Sequence, residues 1–557
     1  MRTIGLHVIR RSIHSPKVSK LADSVTLSGN LIPSEEELQI LDDLPFFRHC
    51  SSKPDSSVSK SRKAYLDRKL PKVRKLFKDE ENSAFLSYHL PEKLKNPYLD
   101  AQARAKIDPV SGKLEFAGTP RLSVTKLLTK RWCELRETYD IYSQIPIYEH
   151  GQVAVGRREH QRLEDEAHVI PSSVELLKEE LGTEVPQDAT HTLAESWFQT
   201  MIRLLALFQT GQAREILCHG YLSSRDCQLD GDVTEEDAVL VSGIIDHLVL
   251  KRRNAKDPTP TPLLSDDVSG KDIKTILQSL NGTIQRSGND LEVIVSDVKT
   301  RSTKTIPQQS SVVNASKIQV MYYRYFLEGL STEASRTYER LLMNARKRGI
   351  DVDAPINPAK LVVLMETSSV IAHDMKRLQN GSPIGFAPFD EFYGDIKSPK
   401  YEYNLESFRS VIKKADTHER YSDLFVKWAT PLTLRYFAAR LAQMYTNVGP
   451  FLSKNLMIEY YSGNANFHRM AFEYKLEDIK HHSTQSALFW FGKRNIEPIK
   501  PTVRNMLTYC NYCDYEQICL WRKQGTDLCK GLGQELETLH MNEDVIQVNQ
   551  LTATPGS

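Results

Sequence analysis

Long apolar runs are missing from this chain. None approaches the ~18 residues that a membrane helix needs; the longest candidates, Leu204 to Phe208 and Ile244 to Leu250, are short or interrupted. An excess of charge is missing too, with 73 Lys+Arg against 71 Asp+Glu and a net charge of +2. That excludes a globally basic nucleic-acid coat but not a local basic groove. Cysteine is scarce, at eight in 557 residues, too few for a disulfide scaffold. A P-loop is absent as well. The nearest string, GQVAVGRR from Gly151, has Arg157 where a lysine must reach the phosphates and Arg158 where Ser or Thr must hold Mg²⁺. ATP use is therefore not expected, and no internal repeat is seen. What is present is ordinary globular composition, 40% hydrophobic and 26% charged, rich enough for a sizeable core.

The first 22 residues carry Arg2, Arg10, Arg11, Lys17 and Lys20 and no acid before Asp23. Leu6, Ile9 and Ile13 recur at helical spacing beside them. An Arg-bearing, acid-free, amphipathic start predicts a mitochondrial presequence over 1–22. Residues 23–115 read as a poorly packed basic region; Lys53 to Lys78 holds ten Lys/Arg. The structured region is expected over 116–535, with insertions near 251–290 and 331–420 and a loose tail over 536–557. Ser123 is expected to cap a helix carrying Leu127, Leu128, Trp132 and Leu135 on one face, with Cys133 inside it. Further helices are expected at 157–168, 192–208 and 316–330. The apolar runs 239–250 and 291–298 read as buried strands, and the polar 251–290 between them as a surface insertion. Strands alternating with amphipathic helices predict an α/β fold with a mixed sheet.

Both strands carry acids. One presents Asp246 in GIIDHL; the other presents Asp297 and Lys299 in SDVKTR. An aspartate inside an apolar strand is costly to bury unless it is paired or holds a metal. The period of two puts Asp297 and Lys299 on one face. Two carboxylates can hold Mg²⁺, and a neighbouring lysine can orient water or meet charge on an attacked phosphate. That is a toolkit for phosphodiester hydrolysis. The bland reading is a strand-end salt bridge between Asp297 and Lys299. Gln319 and Tyr323 lie four apart on one helix face, as do His160 and Glu164 in GRREHQRLE; His160 or Glu164 is a candidate third metal ligand.

CNYCDYEQIC sets Cys510, Cys513 and Cys519 in a C-x2-C-x5-C frame. Sulfurs so close together suggest zinc or an iron–sulfur cluster. The fourth ligand must come from elsewhere, and Cys133 is the leading candidate. Structural zinc completed by Cys529 or His481, and unmetallated thiols, are the alternatives.

In this order, Cys133, GRREHQRLE, GIIDHL, SDVKTR, QVMYY and CNYCDYEQIC, the chain resembles the exonuclease V family of fungal mitochondrial single-strand DNA exonucleases, from about Ser123 to about Arg522. The resemblance implies a restriction-endonuclease-like PD-(D/E)XK core with helical elaborations. It implies metal binding by Asp246 and Asp297, a catalytic Lys299, and a Q-x-x-x-Y helix with Gln319 and Tyr323. It also implies a [4Fe–4S] cluster on Cys133, Cys510, Cys513 and Cys519. Where the family often has Glu, this chain has Asp297. The expected activity is Mg²⁺-dependent cutting of single-stranded DNA from 5′ ends into short oligonucleotides, in mitochondrial genome maintenance. The competing class is a non-catalytic iron–sulfur, DNA-binding accessory subunit of a helicase or replication complex. An RNA-directed nuclease is a further alternative.

Overall fold

The computed structural model describes residues 96–527, apart from short internal stretches such as 143–150 and 404–414. The expected presequence, most of the basic region and the tail lie outside the described residues, as do Cys50 and Cys529. The fold is α/β around a mixed sheet of six strands: β1 Arg121–Ser123, β2 Gln212–Ser223, β3 Ala238–Arg252, β4 Leu291–Thr300, β5 Leu452–Ser462 and β6 Ala465–Glu473. The helices that matter for the site are α1 Glu134–Tyr142, α2 Gly151–Ala167, α3 Ala189–Thr210, α4 Ser310–Ser331, α5 Leu434–Val448 and α6 Leu476–Trp490. No helix among the described residues is long and apolar enough to cross a membrane.

The strand order is β6-β5-β4-β3-β1, with β2 paired to β3 as well. The pairs β1–β3 and β4–β5 are parallel; β2–β3, β3–β4 and β5–β6 are antiparallel. β2 runs along one edge of β3 from residue 238 to 249. The other edge is shared: β1 pairs with residues 240–242 and β4 with residues 247–252. Residues 243–246 of β3 thus have no ladder partner on that edge, and Asp246 lies in this gap. β4 is buried on both faces over its first eight residues, which is why it reads as a continuous apolar run.

Local chemistry fixes the surrounding helices. Asp188 caps α3 by accepting from His191 N at 3.0 Å, and Gly211 ends it at φ +80°. A Cβ on Gly211 would also lie 2.5 Å from Thr261 N, so glycine answers both needs. Leu193, Trp197, Met201, Leu204 and Phe208 form the buried stripe of α3, and α5 packs across both α3 and α4. Among the helices of 331–420, Asp374 takes two hydrogen bonds from Arg440 (2.6 and 2.7 Å) and one from Tyr436 (2.9 Å), all fully buried.

Three expectations change. Ser123 does cap a helix, accepting from Lys126 N at 3.3 Å, but that helix is only Val124–Leu127. A 3₁₀ turn, Thr129–Arg131, follows, and Cys133 falls in the break before α1 rather than within a helix. The 251–290 insertion is not all surface: a helix, Ile273–Ser287, buries Ile273, Ile276, Leu277 and Leu280 against the core. The strands β2, β5 and β6 were not expected from the sequence.

Gly243 sits in the gap of β3. A Cβ there would lie 2.7 Å from the Tyr323 ring and 2.9 Å from Val124 Cγ2. The missing side chain lets α4 bring Tyr323 onto the sheet. Gly243→Ala is expected to destabilise the protein by about 1–3 kcal/mol, the usual cost of overpacking, and to push the Tyr323 ring away. Thermal melting of the variant beside the wild type checks this.

Candidate active site

The site is built where β3 and β4 part. The ladder between them ends at His247 and Ser296. Beyond it, Val298 N donates to Asp246 Oδ2 at 2.7 Å, so a side chain replaces the missing backbone partner. That nitrogen is bonded to the Asp297 carbonyl carbon, which brings the two aspartates side by side across the split. Asp297 is 0% exposed, and no backbone amide or neutral side-chain donor reaches either of its oxygens among the described residues. Its compensation is ionic: Lys299 Nζ lies 2.7 Å from Asp297 Oδ2. The lysine is itself held, because Lys299 Nζ donates to Gln319 Oε1 at 3.1 Å and Gln319 Nε2 donates to Tyr323 OH at 2.7 Å. The one-turn spacing of Gln319 and Tyr323 on α4 makes that relay possible.

A second group faces the same aspartate. His160 on α2 places Nδ1 3.9 Å from Asp246 Oδ1 and 3.6 Å from Glu215 Oε1. The ligand atoms of His160, Glu215 and Asp246 all lie within 4.8 Å of one another, which fits a divalent cation. Glu215 stands opposite Asp246 in the β2–β3 register, but the ladder skips this position, pairing Arg214 with His247 and Ile216 with Ile245. Glu215 adopts φ +53°, a left-handed conformation rare outside glycine. Its carbonyl accepts from Arg203 Nη1 at 2.9 Å instead. Burial, then the Asp297 charge, push the Asp246 carboxyl well above the usual carboxylate range. Burial pulls the His160 imidazole down, but Glu215 and Asp246 outweigh it, and its pKa is raised overall.

The structure therefore brings together Asp246, Asp297, Lys299, Gln319, Tyr323 and His160. It does not bring Glu164 to the group: Glu164 is ion-paired with Arg203. Glu215 was missed. The only sequence signal was an acid within the mixed run QAREILCHGYLS.

The cysteines collect at a distance from these acids. Cys133, Cys510, Cys513 and Cys519 are free thiols lining one cavity, walled also by Tyr139 and Trp521. Ile499 N donates to Cys133 Sγ at 3.5 Å and Tyr139 OH to Cys519 Sγ at 3.9 Å. Burial raises all four thiol pKa values, that of Cys513 to about 12, and neighbouring sulfurs add to the rise at Cys133, Cys510 and Cys513. Among the described residues no three of these sulfurs lie within 4.8 Å of one another. Tetrahedral zinc with Zn–S near 2.3 Å would need sulfurs about 3.8 Å apart. Four thiols lining one cavity are a donor set that fits a thiolate-bound metal centre. His481 lies elsewhere, lining a hollow with Lys130 and His482, and Cys218 and Cys227 are buried outside the cavity.

An α/β sheet thus opens to gather aspartates, a lysine and a histidine, and the comparisons with known proteins place the chain among DNA exonucleases. Residues 113–522 match the family model described as "Exonuclease V - a 5' deoxyribonuclease". "Exonuclease V, mitochondrial" of Kluyveromyces lactis is 43% identical over 556 residues, 97% of this chain and 99% of that one. The protein of the same description from Eremothecium gossypii is 43% identical over 86% of this chain and 91% of its own. That from Saccharomyces cerevisiae is 35% identical over 94% and 93%. The chain belongs to the exonuclease V family.

Glu215→Gln is expected to raise the divalent cation concentration giving half-maximal cleavage by about tenfold or more. Glu164→Gln, which touches Arg203 instead, is expected to move it far less. Metal titrations of cleavage by the two variants separate these roles.

Proposed function

We propose that this chain, a DNA exonuclease by family, hydrolyses single-stranded DNA from 5′ ends in mitochondria, with Mg²⁺ held among Asp246, Asp297, Glu215 and His160 on a PD-(D/E)XK core. The observation that carries the reading is Asp297: a fully buried carboxylate whose one close donor among the described residues is a restrained lysine on Oδ2, with Oδ1 left unmet beside a second carboxylate. A buried carboxylate oxygen without a partner calls for a cation. Bound magnesium supplies charge stabilisation at the attacked phosphate.

The side chains account for the rest. Asp246 and Asp297 would hold the cation where β3 and β4 part, with the ladders on either side fixing the backbone. Lys299, aimed by Gln319, orients the attacking water or meets the charge developing on the phosphate. Tyr323 keeps the Gln319 amide turned so that its oxygen, not its nitrogen, faces the ammonium. The mitochondrial setting rests on the names of the relatives and on the acid-free, Arg-bearing start of the sequence. Single-strand preference and 5′ polarity rest on the family resemblance. The accessory-subunit reading has no observation in its favour, since the acid and lysine groups are all retained.

The four cysteines are proposed to carry a [4Fe–4S] cluster. It would join positions 377 residues apart (510 minus 133), enclosing the whole acid–lysine site. Such a cluster holds segments together and couples binding to folding.

Asp297→Asn and Lys299→Ala are each expected to cut the rate of single-strand cleavage in Mg²⁺ by at least about 10²-fold. Affinity for the strand should persist, because it comes from backbone charge and base stacking. Cleavage at the wild-type rate by either variant refutes the site. Cys133→Ala is expected to lose iron, melt at lower temperature, and bind and cut DNA less well, while Cys227→Ala keeps its iron. Iron analysis and an absorption spectrum of anaerobically purified protein decide this, and a native protein holding one zinc and no iron would overturn the cluster.

A further inference from the structure

We propose that the N-terminus of α4 is a phosphate-binding subsite for the substrate strand, separate from the acid–lysine site; this rests on the DNA-nuclease reading above. Gln309 is the N-cap of this 22-residue helix, and it makes no side-chain capping bond. Val312 N and Val313 N both turn back to Gln309 O at 3.1 Å. The amides of Ser310 and Ser311 are left without partners among the described residues, the usual state of an uncapped helix start. Aligned peptide dipoles and free N–H groups at such a start favour an anion.

The second observation is Gln309 itself. It is 5% exposed, it lines the hollow in front of the helix start, and its Nε2 has no hydrogen-bond partner among the described residues. A buried amide donor left unmet is costly, and a turn of the Gln309 side chain toward an acceptor in the hollow would satisfy it. Lys500 borders the same hollow with no ion pair among the described residues. The nearby acids are engaged: Glu134 accepts from Arg494 at 2.8 and 2.5 Å, and Glu497 is paired with Lys130. The hollow has about 390 Å³ of room, within the range of small-ligand sites. Two aromatic rings wall it, Trp132 and Tyr509, set edge to face at 5.5 Å, and Tyr509 OH lies 2.6 Å from Ser311 Oγ. Free donors and a cation beside aromatic faces suit a nucleotide of a single strand.

Its position suits the reaction. Gln309 precedes Gln319 by ten residues on the helix, about 15 Å along its axis. A strand seated at the helix start therefore reaches the catalytic lysine a few nucleotides further on. Trp132, Cys133, Ile499 and Tyr509 wall both this hollow and the cysteine cavity. Loss of the thiol centre would loosen the subsite directly, which gives the cysteines a route to DNA affinity without electron transfer.

The test is equilibrium binding of fluorescent single strands to the full-length holoprotein without added divalent cation, across a salt series. Ser310→Pro is the sharpest variant. It removes one free N–H at the first helical position, where proline is favoured, and Gln309 already has the extended backbone (φ −74°, ψ 112°) that a following proline requires. Its melting temperature should hold or rise while affinity falls about three- to tenfold. Gln309→Leu should lose a similar factor. Lys500→Ala should lower the slope of log affinity against log salt by about 0.7. Equal losses on 5′-phosphorylated and 5′-hydroxyl strands assign an internal phosphodiester; loss confined to the phosphorylated strand assigns the terminal phosphate. If the wild type binds and all three variants match it in affinity and salt slope on both strands, the subsite is wrong and the acid–lysine site is untouched. If the wild type binds no single strand, the DNA reading and the subsite fall together.

Discussion

A carboxylate sealed inside a sheet, with a single lysine as its close donor, is the constraint on which the site depends. Asp297 is fully buried, and Lys299 is its one close counter-charge among the described residues. Two more acids, Asp246 and Glu215, stand close by, and burial together with the Asp297 charge pushes the Asp246 carboxyl well above its usual range. Against the three carboxylates stand Lys299 and a His160 whose pKa is raised by them. Arg131, partly buried, adds a further positive charge that acts on Asp297. The carboxylates still crowd one another, as the raised Asp246 carboxyl records, and a divalent cation among them would relieve that crowding.

The sheet creates this arrangement by failing to be regular at one place. Over residues 243–245 β3 is paired on one edge only, and at Asp246 on neither. Asp246 takes the Val298 amide that a continuing ladder would have used. Glu215, opposite it, leaves the β region entirely. Left-handed backbone at a non-glycine residue costs energy and persists only where the surroundings hold it, here through Arg203 on its carbonyl. Gly243, in the same gap, gives room for Tyr323, which orients Gln319 and through it Lys299. The ladders on either side keep the strands rigid, so the irregular stretch is short and its side chains are well placed.

This also explains what could be read in the sequence. β3 and β4 were legible because strands buried on both faces are nearly continuous apolar runs, and an acid or lysine interrupting them stands out. Gln319 and Tyr323 were legible because helical spacing fixes their common face. Spacing could not choose between His160 and Glu164: both lie on one face of α2, and a single turn decides which meets Asp246 and which meets Arg203. Glu215 was illegible because its role depends on the register of β2 against β3 and on a left-handed φ, neither of which is local. Cys133 was expected inside a helix because apolar residues around it kept helical spacing. The chain instead breaks there, and Glu134 is buried at the start of α1 to receive Arg494. The mitochondrial start and the loose tail lie outside the described residues, so only sequence speaks for them.

The cysteine cavity adds a last step. Its two chain segments are already joined without metal. Glu134 holds Arg494 and the Glu497 amide, Tyr515 OH donates to Asp140 at 2.7 Å, and Trp521 Nε1 donates to Ile499 O at 2.8 Å. Closure of the long loop is therefore shared between hydrogen bonds and the thiol centre, and its entropy rises only slowly with length. The buried thiols are held neutral by their own surroundings, so ligation must release protons and is coupled to the electrostatics of the cavity. A centre bound there would not have to create the closure; it would tighten one that exists. Trp132, Cys133, Ile499 and Tyr509 wall both the cavity and the hollow before α4, so tightening the first would shape the second.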